Sequence, residues 1–387
     1  MNNIQTELRK FVAPEFVFGT GARHMAARYA INFGATKVLI VTDPGIIAAG
    51  WTKEVTDGLE SAKIPYHIFS AVTPNPKAGE VMMGAEVYEQ EACNLIVVIG
   101  GGSPIDCAKG IGLVTSNKMH ILDFEGVDQV PSPGPPLICI PTTGGSAADV
   151  SQFAIITDTD RKVKITIISK MLVPDVSLSD PFILTTMSRE LTAHTGLDAL
   201  AHAFEAYVSN ANSPVTDLFA LEAVRLMSSS LIPAIEHPED VAIRSRTMLG
   251  SLYAGLAFSN AGLGLVHAMA HTLGGRLDIA HGESNSILIS RVVEFNFETA
   301  AERYAAIGEA LGLHMSGLDP SRKMAAFLDA LEKLRKTLNV DLALGDVGVE
   351  PGDIPELAAQ AMKDPCVATN PRRPTQKEIE GLYEKAL

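Results

Sequence analysis

Cysteine is scarce in this chain: Cys93, Cys107, Cys139 and Cys366 are the only four in 387 residues. Scattered so widely they make no disulfide framework, and reduced thiols in a cytoplasmic setting are the expectation. Basic charge is also short, with 31 Lys and Arg against 45 Asp and Glu and a formal net charge of −14. That deficit argues against sequence-independent binding to nucleic acid, which needs basic patches, and gives no pull toward anionic membranes. The opening residues, Met1-Asn-Asn-Ile-Gln-Thr-Glu7, hold no basic stretch followed by an apolar one, so no signal peptide is expected. No apolar run approaches the ~18 residues of a membrane helix. What remains is an ordinary globular composition, 47% hydrophobic and 20% charged. Its length suits two domains of roughly 150–200 residues each.

The first ~180 residues alternate apolar runs with helical stretches. Residues 37–43, 65–69, 94–100 and 137–141 read as strands, three of them continuously apolar. Continuous apolar strands between helices indicate a parallel sheet covered on both faces. Helices are expected at about 22–32, 51–61, 76–90 and 104–114, with Pro76 and Pro104 at first helical positions. Residues 153–158 and 163–168 flank a polar tip and read as a hairpin. The pattern changes near Pro181-Phe182. Leu, Ala, Met and His then recur at helical spacing almost to the end, so the division expected is 1–182, α/β, and 183–387, all-helical.

Gly100-Gly-Gly-Ser-Pro-Ile-Asp106 joins a buried strand to a helix start. Three glycines let backbone amides approach a pyrophosphate, and a helix N-terminus favours negative charge. Pro141-Thr-Thr-Gly-Gly-Ser146 also follows a strand, and its hydroxyls can reach phosphate or ribose. The G-x-G-x-x-G fingerprint is missing. Gly19-Thr-Gly21 is explained as well by a hairpin turn. Asp43 ends a strand, where a carboxylate either accepts from a ribose 2′-OH or caps the helix beginning at Pro44.

Asp198 and His202 are four apart, as are His267 and His271, and His281 follows in Ala280-His-Gly-Glu283. Residues i and i+4 share one helix face, so two helices and one further histidine can close three or four ligands around a divalent cation. All four histidines fall in glycine- and alanine-rich stretches, where an unpaired imidazole is costly. His194, four before Asp198, is a further candidate. His267-Ala-Met-Ala-His271 lacks the Glu of H-E-x-x-H, which argues against a zinc protease. Spacing alone leaves open whether His267 and His271 both bind metal, or one binds while the other moves protons.

Together with Gly262-Leu-Gly-Leu-Val266 and Thr369-Asn-Pro-Arg372, these motifs resemble the iron-dependent (group III) alcohol dehydrogenases over nearly the whole chain. The resemblance implies a Rossmann-like α/β nucleotide-binding domain, then an all-α domain, in the architecture shared with dehydroquinate synthase, with the active site between them. It implies metal ligands Asp198, His202, His267 and His281, with His271 close by as a proton-transfer residue. Gly100, Gly101, Gly102 and Ser103 would hold the pyrophosphate, Thr142, Thr143, Ser146 and Lys164 the rest of the cofactor, and Asp43 would favour NAD over NADP. Phe258 and Cys366 would line the substrate pocket. Phe153 stands where some members carry a polar substrate contact. It cannot hydrogen-bond a second hydroxyl, which leans toward simple alcohols over diols.

The expected activity is NAD-linked interconversion of a small primary alcohol and its aldehyde, with Fe²⁺ following family usage and Zn²⁺ compatible with the same donors. The alternatives are a 1,3-diol or lactaldehyde-type reductase, or a relative recruited as a non-catalytic regulator. The resemblance also implies a homodimer or higher homo-oligomer.

Overall fold

The computed structural model describes residues 8–387. They fall into two compact units. The α/β unit comprises Val12–Met187 and Pro238–Met248. The helical unit comprises the described residues up to Phe11, Ser188–His237 and Leu249–Leu387.

Six strands make the main sheet of the α/β unit: β1 (Glu15–Phe18), β2 (Val38–Val41), β3 (Tyr66–Phe69), β4 (Leu95–Gly100), β6 (Leu137–Pro141) and β9 (Val176–Ser179). Their order is β1-β9-β6-β4-β2-β3, every pairing parallel. Strands β5 (Gly126–Val127), β7 (Phe153–Asp158) and β8 (Val163–Ile168) form a second sheet, in which β7 and β8 are the expected antiparallel hairpin. The apolar runs explain the layering. Alternate residues point to opposite faces, so Leu39, Val41, Ile96 and Val98 join one core while Val38, Ile40, Leu95, Val97 and Ile99 join another. Helices α4 (Ala78–Gln90) and α5 (Gly102–Asn117) cover the first face through Val81, Ile105, Ala108 and Ile111. Helices α1 (Ala26–Asn32) and α3 (Trp51–Ser61) cover the second through Ala26, Ala30, Trp51, Val55 and Leu59. The short α2 (Pro44–Ala48) follows β2.

Several local expectations shift. Lys77 is the N-cap of α4, so Pro76 lies outside that helix, and α5 starts at Gly102, two residues before Pro104. Gly19-Thr-Gly21 leads from β1 into a 3-10 turn, Ala22–Met25, and is no hairpin. The α/β unit continues to Met187, past the expected Phe182, and takes in Pro238–Met248, where Met248 packs with Leu184, Met187 and Phe18.

The helical unit contains no strand among its described residues. Its elements are α6 (Arg189–Val208), α7 (Pro214–Glu236), the part of α8 (Val241–Ala261) from Leu249 onward, α9 (Leu265–Leu277), α10 (His281–Phe297), α11 (Ala301–Ala310), α12 (Pro320–Leu338), α13 (Ile354–Ala361) and α14 (Gln376–Ala386). Helix α7 is long and apolar enough to cross a membrane by length and composition, which the reading of apolar runs missed. It packs against α6 and α11, with Ala223, Val224 and Met227 fully buried, as a core helix does.

Candidate functional site

Strands β2, β4 and β6 lie side by side in the α/β unit, and each ends in a group singled out from the sequence. Asp43 follows β2, Gly100–Ser103 join β4 to α5, and Thr142–Ser146 follow β6. Beyond β2 the order runs to β3, and beyond β4 to β6, so the chain's course divides here. Ligands of open α/β sheets bind at the carboxyl ends of strands at such a division.

The glycines earn their place by close approach. A Cβ on Gly101 would lie 3.1 Å from Thr143 Cγ2, and one on Gly102 would lie 3.1 Å from Ser146 Cβ. Gly101 is the N-cap of α5 and supplies no side-chain cap, so the positive end of that helix dipole faces outward. Thr142 is buried, its N–H donates to Gly100 O at 3.0 Å, and its Oγ1 has no hydrogen-bond partner. A buried hydroxyl without a partner is costly, and a polar ligand relieves that cost. Lys164 sits on β8 opposite Thr157. Asp43 is the N-cap of α2: its Oδ1 accepts from Ile46 N–H at 3.0 Å, which is the capping role weighed against ribose binding.

Behind the loop, α5 is pinned to the hairpin. Lys109, buried, donates to Ser151 O at 2.8 Å and Phe153 O at 2.7 Å, and the Asp106 carboxylate accepts from Ile155 N–H at 3.1 Å. Burial pushes the Asp106 carboxyl up to about 6, against the pull of Lys109 and Lys164. Phe153 is therefore the buried first residue of β7, held through its carbonyl.

The helical unit brings Asp198, His202, His267 and His281 together, with one donor atom from each within 4.8 Å of all the others. Asp198 and His202 lie one turn apart on α6, His267 on α9, and His281 opens α10. Asp198 Oδ1 is 3.7, 3.6 and 3.7 Å from Nε2 of His202, His267 and His281. Donors about 2.1 Å from a tetrahedral cation are about 3.4 Å from one another. The four groups thus fit a divalent metal with small adjustment. Burial by itself would raise the Asp198 carboxyl, but the facing His202, His281 and His267 rings hold it far below the carboxylate range.

Helix α9 is aimed by groups that spacing did not mark. The buried Glu205 carboxylate accepts from Gly264 N–H at 2.9 Å, Val266 N–H at 2.6 Å and His267 Nδ1 at 2.6 Å. It caps the helix N-terminus and fixes the tautomer that turns His267 Nε2 toward Asp198. Burial opposes a proton on His267, yet Glu205 and Asp198 raise that imidazole to about 9. A Cβ on Gly264 would meet Asn370 Oδ1 and Glu205 Oε1, each at 2.9 Å, so only glycine admits both caps. Asn370, from the terminal Thr-Asn-Pro-Arg motif, accepts from Leu265 N–H at 3.1 Å and exchanges hydrogen bonds with the buried Asn296. Asn285, one turn beyond His281, donates from Nδ2 to Asp198 Oδ1 at 2.6 Å.

His271 is outside the four-donor group. Its Nδ1 shares a 2.7 Å hydrogen bond with Asp364 Oδ2, and its ring stacks 5.4 Å from that of His281. His271, Asp364 and Cys366 also bring donor atoms within 4.8 Å of one another. Asp364 Oδ1 accepts from Cys366 N–H at 2.8 Å, so both carboxylate oxygens are engaged. Despite burial, the His271 ring keeps Asp364 below the usual range, whereas burial and Asp364 push the Cys366 thiol well up. Phe258 is buried and stacks on His202 at 4.3 Å. His194, on α6, is not among the donors.

One signal for Glu205 was available: positions 198, 202 and 205 follow i, i+4, i+7 and share a helix face. Asn285 likewise follows His281 by four. Asp364 lies 93 residues from His271, beyond any local pattern.

A glycine loop at the end of a parallel strand suits a nucleotide-like ligand, and a one-carboxylate, three-imidazole cluster suits a divalent metal. The comparisons give the family. Residues 13–181 match the iron-containing alcohol dehydrogenase domain and residues 192–387 match the C-terminal domain of the same family. The chain belongs to the iron-containing alcohol dehydrogenases. It is 41% identical over 378 residues to alcohol dehydrogenase 4 of Schizosaccharomyces pombe, covering 97% of this chain and 89% of that one. It is 38% identical to the NAD-dependent methanol dehydrogenase of Bacillus methanolicus, covering 97% and 99%. A crystal structure of a 1,3-propanediol oxidoreductase superposes with a TM-score of 0.95 at 36% identity, covering 98% of this chain and all of that one.

Proposed function

We propose that this chain is a metal-dependent, NAD-linked alcohol dehydrogenase that interconverts a small primary alcohol and its aldehyde. The carrying observation is the closed set of Asp198, His202, His267 and His281 donors in a chain of this family. Fe²⁺ is the metal we assign from the family, and Zn²⁺ suits the same donors. A bound divalent cation supplies a Lewis acid that lowers the pKa of an alcohol oxygen, and NAD supplies the hydride acceptor.

The chain's own residues do the rest. Gly100, Gly101, Gly102 and Ser103, with the N-terminus of α5, hold the pyrophosphate. Thr142, Thr143, Ser146 and Lys164 line the remaining cofactor site, where the unpartnered Thr142 hydroxyl supports the assignment. Asp43 Oδ1 caps α2, and we assign the other carboxylate oxygen to a ribose hydroxyl. His271, held at Nδ1 by Asp364, presents Nε2 to take the alcohol proton. Phe258 and Cys366 are buried in the helical unit and Phe153 in the α/β unit; we assign all three to the substrate, and neither phenylalanine can hydrogen-bond a second hydroxyl, which favours a monoalcohol. The four free, buried cysteines support a reducing cytoplasmic setting, and family resemblance supports a homo-oligomer.

Two variants separate ligand from proton carrier. His267→Ala is expected to lose bound metal and activity together. His271→Ala is expected to keep stoichiometric metal by elemental analysis while turnover falls roughly 10²–10⁴-fold, the usual worth of a general acid–base group. Equal metal loss in both would contradict the assignment of His271.

A further inference from the structure

Asn285 is buried and projects into the donor cluster. Its Nδ2 donates to Asp198 Oδ1 at 2.6 Å and lies 3.2 Å from Nε2 of both His267 and His281. The opposite orientation would set two oxygens 2.6 Å apart, so the donor to Asp198 fixes which way the amide points. The amide nitrogen thus covers the triangle formed by Asp198 Oδ1, His267 Nε2 and His281 Nε2. Four donors enclose four such triangles, and this is the single one without His202.

We infer that Asn285 is a positioning residue that closes this face of the metal, so an exchangeable ligand such as the substrate oxygen must enter beside His202, where Phe258 stacks at 4.3 Å. The proposal rests on the metal reading above. The N–H ties up one lone pair of the Asp198 oxygen. The amide's bulk excludes water from the covered face, and with its lone pair delocalised into the carbonyl the nitrogen does not itself serve as a ligand.

Cobalt(II) reports coordination number through its visible absorption, which weakens as ligands are added. The wild type, Asn285→Ala and Asn285→Leu are loaded with Co²⁺ anaerobically and brought to equal occupancy by elemental analysis. Alanine opens a water-sized space, so its band is expected to fall several-fold in intensity. Leucine refills the space without a donor, so its band is expected to keep wild-type intensity. Superimposable alanine and wild-type spectra at equal occupancy would overturn the proposal. If the alanine variant does not fold or hold Co²⁺, the leucine variant decides: retained intensity supports the cap, and a band weakened several-fold overturns it. Failure of the wild type to take up Co²⁺ would instead overturn the metal reading itself.

Discussion

Glu205 acts on the metal site without offering a donor atom to it. Three N–H groups converge on its carboxylate, two from the start of α9 and one from His267 Nδ1. Glu205→Gln keeps the shape but sets an NH₂ against at least one of those donors and removes the charge that orients the imidazole. Outer-shell partners of this kind typically matter about 10–100-fold in metal affinity. Competition against a chromophoric chelator should therefore show Glu205→Gln binding metal at least about tenfold more weakly than wild type. Unchanged affinity in a folded variant would show that α9 holds His267 without help. At this scale the sequence is informative where chemistry repeats along one helix. Asp198 with His202 and His267 with His271 are visible as i, i+4 pairs, but spacing did not separate the roles of His267 and His271. Partners such as Asp364 and Asn370 meet their histidine and helix only through the fold.

Helix α5 joins the glycine loop to the hairpin, and Asp106 is half of that joint. Burial pushes its folded pKa up to about 6, above the ordinary carboxyl value of 3.8, so the folded state binds a proton more tightly than the unfolded chain. Stability from this group is therefore present in full below about pH 4 and is lost as pH rises through about 6. Asp106→Asn removes the penalty while leaving an oxygen for Ile155 N–H. Chemical denaturation should show the variant more stable than wild type by about 3 kcal/mol at pH 7.5, with most of that gain gone at pH 4. A gain independent of pH would contradict the linkage. The central strands were legible because continuous apolar runs need both sheet faces covered. Strand β9 was not. Its Val-Ser-Leu-Ser pattern is fully buried, and Ser177 is tolerated there because its hydroxyl donates to Asp149 at 2.6 Å.

Across the whole molecule, an α/β part followed by a mostly helical part was readable from the change of period along the chain. The return of Pro238–Met248 to the α/β unit was not, since a helical segment carries no mark of the unit it will pack with. Membership of the iron-containing alcohol dehydrogenases ties the halves to one activity. That activity is tested most directly by NADH formation at alkaline pH, against short primary alcohols and diols, after anaerobic metal removal and reloading with Fe²⁺ or Zn²⁺. Loss of turnover on removal, recovery on reloading and fastest rates with a short monoalcohol are the expected result. No NADH from any alcohol with either metal, in protein that still binds NADH, would contradict it.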